Sequence, residues 1–169
     1  HDLVEAGTVR INDLRVIGKC ADGTFAGFEL SSLHGEHLSG LAAFAGLRSR
    51  TVFNKPSAHL SLDDQLEVCR QARDTARKGT GVVVTHGTDS LEETSMLCDI
   101  LHDADAPIVF TGAIRPASAP GADGPANLVD AVSVAASAEA AGMGVLVCFG
   151  GEIHHARGVR KTDTVSLVA

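Results

Sequence analysis

The chain has 169 residues, 44% of them hydrophobic with neither Trp nor Tyr, which is enough for one domain with a real core packed from Ala, Val, Leu and Gly. A formal net charge of −7 argues against nucleic acid as a main partner. No apolar run approaches membrane-spanning length and no signal-peptide pattern opens the chain, so no membrane partner is expected and the cytoplasm is the expected compartment.

From the N-terminus, Leu14-Arg-Val-Ile-Gly18 reads as a strand, and Phe25, Phe28 and Leu30 continue on a second. Asp22-Gly23 is the hairpin signal between them. Residues 31–45 carry Leu33, Leu38, Leu41, Ala42 and Phe44 at helical spacing, with Gly46 as the stop. Arg50-Thr-Val-Phe53 reads as a short strand, followed by the loop Asn54-Lys-Pro-Ser57. Ser61 opens a helix with early acidic residues, and Arg77-Lys-Gly79 closes it.

Gly81-Val-Val-Val84 is a strand buried on both faces. Its apolar run gives way to Thr85-His-Gly-Thr-Asp89, and Ser90 or Asp89 is placed to cap a helix over about 91–102. Ala106-Pro-Ile-Val-Phe-Thr111 is another buried strand, and the loop Gly112–Pro125 is long and rich in Gly, Pro and Ala, as functional loops tend to be. An Ala-rich helix is expected from Asn127 to about Ala141, then a strand at Gly144–Phe149 that Gly150-Gly151 breaks, then a hairpin or irregular strand pair over 152–161. Strand and helix alternate throughout, so a three-layer α/β sandwich with a mainly parallel sheet is expected, as one domain over 1–169. Ligands of such sheets sit where a strand's carboxyl end meets a helix N-terminus, which puts Thr85–Ser90 in that place.

The four cysteines, Cys20, Cys69, Cys98 and Cys148, are widely spaced with no C-x-x-C and read as reduced, mostly buried thiols. His154-His155 is the only adjacent histidine pair, and neighbours on a strand face opposite ways, so no metal site is expected. The chain begins at His1 without Met and ends at Thr164–Ala169 in what reads as a strand or turn; both ends look cut.

Thr85-His-Gly-Thr-Asp89 with Leu91-Glu-Glu-Thr94 resembles the second signature of bacterial-type L-asparaginases. In the same order, Asn54-Lys-Pro-Ser57 is similar to that family's substrate-serine loop, Pro107–Pro116 to its next strand and loop, Ala122-Asp-Gly-Pro-Ala-Asn-Leu128 to its Asp-Gly-x-x-Asn-Leu helix start, and Val159-Arg-Lys-Thr-Asp163 to its lysine segment. The resemblance implies an amidohydrolase that converts L-asparagine, and more weakly L-glutamine, to the acid and ammonia, with no metal or organic cofactor. It implies a Thr-Asp-Lys group at Thr88, Asp89 and Lys161, and substrate contacts from Ser57, Gly87, Thr88, Asp89 and the Ala113 carbonyl. Ala58 stands where the family often has a polar glutamine.

A threonine hydroxyl is a poor nucleophile near neutrality and needs a neighbouring base or cation, which a lysine beside it supplies. The family's opening Thr-Gly-Gly-Thr-Ile is not in the chain. Thr8 in Ala6-Gly-Thr-Val9 and Thr24 in Asp22-Gly-Thr-Phe-Ala26 are the two stand-ins for its attacking threonine, and a nucleophile outside this chain is the third reading. His86 is left without an assigned role, orienting the turn being set against acting as a base; Arg115 is read as a structural ion pair with an acidic neighbour or a partner subunit, and Asp123 and Asn127 as capping the next helix and shaping the loop. The resemblance further implies a homo-oligomer, dimer or tetramer, and a second C-terminal domain that this chain does not contain. The rival readings are a glutaminase or amidotransferase relative, and a degenerate homologue that binds an amino acid without turnover.

Overall fold

The computed structural model describes residues 16–19, 25–28, 52, 53, 55–115 and 119–162. The helix read at 31–45, and Thr8, Thr24 and Cys20, lie outside the described residues. Strand β1 (Val16–Lys19) pairs antiparallel with β2 (Phe25–Phe28), Lys19 opposite Phe25, which is the hairpin expected across Asp22-Gly23.

Helix α1 (Leu62–Ala76) begins at a full capping box. Ser61 Oγ accepts the Asp64 N–H at 3.2 Å, and the Asp64 carboxylate accepts the Ser61 N–H at 2.8 Å. Lys55 also pairs with Asp64, and these partners together hold its carboxyl down at about 2. Strands β3 (Val82–Thr85), β4 (Ile108–Thr111) and β5 (Val145–Phe149) lie parallel and adjacent in that order. Helix α2 (Leu91–Leu101) links β3 to β4, and α3 (Gly124–Ala136) links β4 to β5.

Side chains alternate across the sheet. Val83, Val109, Leu146 and Cys148 pack on Leu128, Ala131, Val132 and Ala135 of α3. Val82, Ile108, Phe110, Val145 and Val147 pack with Cys69 and Ala72 of α1 and Leu91 and Cys98 of α2. The three layers follow from that alternation, and each large aliphatic or aromatic side chain buried in them contributes about 1.5–3 kcal/mol. Cys69, Cys98 and Cys148 are free and buried, as read from their spacing.

Three elements differ from the sequence reading. Val52 forms a bend and Phe53 belongs to no element, so the described end of the expected strand at 50–53 packs on the core without joining the sheet. Helix α3 starts at Gly124, with Pro125 in its first turn where the missing N–H is harmless. It stops at Ala136, because Ser137 turns extended and starts a short 3-10 turn (Ala138–Ala140). Finally, Gly150 and Gly151 (φ 60° and 79°) form a two-residue hairpin that only glycine-like backbones make easily. It folds β6 (Glu152–His155) antiparallel onto β5, with Phe149 opposite Glu152.

One buried side chain ties the strand ends together. Asn127, only 2% exposed, donates to the Gly112 carbonyl beyond β4 at 3.0 Å and accepts the Gly150 N–H beyond β5 at 3.0 Å. Removing it strands both backbone groups, each costing about 1–3 kcal/mol. Asn127→Ala should therefore lower unfolding stability by about 2–4 kcal/mol in urea melts, while Ser133→Ala on the outer side of α3 stays within about 0.5 kcal/mol.

Among the described residues two histidines, His86 buried and His102 half-buried, contribute to acid sensitivity. Burial pushes both the His86 and the His102 imidazoles below their ordinary 6.5. A depressed histidine binds fewer protons folded than unfolded, so its contribution is complete above the unfolded value and is lost as pH falls below it. The melting temperature should drop as pH is lowered from about 6.5 to about 5, above the range where the paired carboxylates titrate. His86→Asn, which keeps an N–H at the Nδ1 position, should flatten that slope.

Candidate active site

The candidate site stands at the carboxyl ends of β3 and β4. The His86 N–H donates to the Thr111 carbonyl at 2.8 Å, carrying the ladder one residue past β3. The chain then turns through Gly87 and Thr88 into α2. Two glycines set how closely the loops meet. A Cβ on Gly112 would lie 2.5 Å from the His86 carbonyl oxygen and 3.4 Å from Thr88 Cγ2. A Cβ on Gly87 would lie 2.4 Å from Ser57 Oγ. Neither position has room for a side chain.

Ser57 opens a 3-10 turn (Ser57–His59) and is 3% exposed. Its carbonyl accepts the Ser90 hydroxyl at 2.8 Å, while its own Oγ is buried with no hydrogen-bond partner among the described residues. Ser90 occupies the N-cap position of α2, but its hydroxyl goes to Ser57 instead of capping the helix. The expected cap is replaced by a tie between the Ser57 turn and the start of α2.

Lys161 lies beyond β6, far from Thr88 in sequence, yet its Nζ donates to Thr88 Oγ1 at 2.9 Å. Its backbone N–H donates to Glu92 Oε2 at 2.8 Å. Thr88 and Lys161 are half-buried and Asp89 is exposed. Among the described residues no hydrogen bond or ion pair joins the Asp89 carboxylate to either. The expected threesome is thus a hydroxyl–lysine pair with a carboxylate standing beside it in solvent. A lysine ammonium at this distance stabilises negative charge on the threonine oxygen, and a neutral amine would take its proton.

His86 is 5% exposed, its ring tilted at 6.1 Å from Phe110. Nδ1 lies 2.8 Å from the Gly87 carbonyl, an acceptor, so Nδ1 carries the proton and the ring braces the turn. Ala113 follows Gly112 in a loop hung on Asp123. That carboxylate accepts the Ile114 and Arg115 N–H groups, each at 2.9 Å, and Asn127 Nδ2 at 3.1 Å. Asp123 therefore shapes the loop as expected, but it does not cap α3 with its side chain. Arg115 donates to the Gly121 carbonyl at 3.2 Å and has no acidic partner among the described residues, so the ion pair expected for it is not formed there. The Glu92–Lys161 and Asn127–Gly150 links had no local sequence signal, because each joins segments far apart in the chain. Among the described residues no group of three or more His, Cys, Asp or Glu side chains could hold a metal ion, and no helix is long and apolar enough to cross a membrane.

A protein-family model described as "Asparaginase, N-terminal" matches residues 22–169. The chain is 32% identical over 158 residues to "Probable L-asparaginase periplasmic" of Haemophilus influenzae, covering 86% of this chain and 45% of that one. It is 38% identical over 131 residues to "Glutaminase-asparaginase" of Pseudomonas fluorescens biotype A, covering 76% and 36%. A solved structure, "Probable Cytoplasmic L-asparaginase" of Campylobacter jejuni, superposes with a TM-score of 0.76 at 30% identity, over 95% of this chain and 52% of that one. These relatives are named for two different compartments. The chain spans less than half the length of the curated relatives it matches. The extent of the family match and the shared fold together establish that the chain belongs to the asparaginase family.

Proposed function

We propose that this chain forms part of the active site of an amidohydrolase that converts L-asparagine and water to L-aspartate and ammonia. The observation that carries the proposal is the 2.9 Å hydrogen bond from Lys161 Nζ to Thr88 Oγ1 at a strand's carboxyl end. A half-buried lysine–hydroxyl pair is an arrangement for moving a proton at a reacting centre, and it is an unneeded one for stability at a loop tip.

In the proposed reaction a threonine hydroxyl adds to the amide carbon, the tetrahedral oxyanion collapses, and ammonia leaves with the proton it has gained. Water then hydrolyses the acyl ester and the hydroxyl is restored. Thr88 and Lys161 shuttle the proton. The N–H groups at Gly87 and Thr88, in the turn ahead of α2, suit an oxyanion. Asp89, exposed beside them, suits the substrate's α-ammonium, and Ser57 its α-carboxylate. The Ala113 carbonyl takes the amide NH2. The attacking threonine is Thr8, Thr24 or a residue outside this chain. Two relatives named glutaminase-asparaginase support glutamine as a second substrate. In the same reading the assembly is a homo-oligomer.

Ammonia release from asparagine tests the reading. Thr88→Val and Lys161→Ala should each lower kcat roughly 10²–10⁴-fold, the usual worth of positioned proton transfer. Near-normal turnover in Thr88→Val would sink the assignment. If the unaltered protein releases no ammonia while aspartate still raises its melting temperature, binding without catalysis is the correct reading. Ser57→Ala should raise KM roughly 10-fold or more, as loss of a hydrogen bond to a charged group does, and Gly87→Ala should match it by displacing Ser57.

A further inference from the structure

Lys161 presents its ammonium on four flexible methylenes, so its aim depends on where its backbone is held. The backbone there has little regular support. Strand β6 ends at His155, and the last ladder bond, from the Ala156 N–H to the Val145 carbonyl at 3.0 Å, lies five residues before Lys161. Residues 156–162 carry only a turn. Val159 packs against the core on the α1–α2 side of the sheet. The contact that fixes Lys161 itself is the hydrogen bond from its N–H to Glu92 Oε2 at 2.8 Å.

Glu92 lies in the first turn of α2, four residues after Thr88. The helix that follows the Thr88 turn therefore also carries the anchor for the lysine that meets Thr88. Glu92 is half-buried, whereas its neighbour Glu93 is exposed. A carboxylate accepting an N–H makes a charge-assisted bond, stronger than a neutral one. A first-turn acid serving only the helix dipole would need no such contact.

We propose that Glu92 is a positioning residue for the reaction, holding the Lys161 backbone so that Nζ stays on Thr88. This rests on the Thr88–Lys161 reading above. Among the described residues no hydrogen bond joins the Glu92 carboxylate to Thr88; it acts through the Lys161 backbone. It sets one distance between two segments that the sheet alone does not bring into register.

The test compares Glu92→Ala, Glu92→Gln and Glu93→Ala in the intact protein. Steady-state asparagine hydrolysis is measured together with hydrogen exchange of peptides covering 156–162. In Glu92→Ala, kcat should fall roughly 10–100-fold, the penalty for about 1 Å of misplacement. KM should stay within about 3-fold, and exchange at 156–162 should speed up about 10-fold. Glu92→Gln, whose amide oxygen still accepts the N–H, should recover most of both readouts, and Glu93→Ala should change neither. Unchanged exchange in Glu92→Ala, or unchanged kcat with faster exchange, would overturn the proposal. An intact protein without asparaginase activity would sink the functional reading instead, while the exchange comparison would still decide whether Glu92 anchors Lys161.

Discussion

The end of the sheet is closed by one amide. Parallel strands buried on both faces leave unpaired backbone groups where they stop, and those groups cannot be left dry. Asn127 serves the ends of two of these strands, the Gly112 carbonyl after β4 and the Gly150 N–H after β5. The same side chain donates to Asp123, whose carboxylate then holds the N–H groups of Ile114 and Arg115. The loop bearing Ala113 therefore takes its shape from the first turn of α3. With the β4 exit pinned, Gly112 can lie against the His86 carbonyl and the Thr88 side chain, and two loops from different strands form one wall.

How much of this was legible in the chain depends on the range of each interaction. Val82–Val84, Ile108–Phe110 and Val145–Val147 announce buried parallel strands through continuous apolar runs, and the capping box at Ser61 is written in four consecutive residues. Local chemistry misled where a tertiary acceptor outbid the local one. Ser90 sits at an N-cap and Asp123 before a helix, yet each side chain serves a distant segment. Gly150-Gly151 read as a strand breaker, whereas two positive-φ glycines return the chain directly onto β5 and start the path that leads to Lys161. The Thr88–Lys161 meeting was expected from the resemblance. Its anchor at Glu92 was not, because an acid in a first helical turn is already explained by the helix dipole.

The site also divides its charges by exposure. Lys161 and Thr88 are half-buried and face each other, while Asp89, next in the chain, is in solvent. A carboxylate in water interacts weakly with a lysine it does not touch. The chemistry of the pair therefore depends on its own short contact. In the proposed reading this separates the tasks. The exposed carboxylate meets an incoming ammonium, and the half-buried pair handles the proton.

That separation depends on geometry that no single loop controls. Thr88 is placed by β3 and the start of α2, and Lys161 by the hairpin after β5. These two routes through the chain meet again at Glu92. A hydrogen bond of 2.9 Å between side chains tolerates little drift, because proton transfer and charge stabilisation both weaken steeply with distance and angle. The sheet fixes the strands to one another, but Lys161 lies beyond its last rung. A cross-link near the lysine is what the contact requires, and a carboxylate on the rigid first turn of α2 supplies it from the same element that follows Thr88.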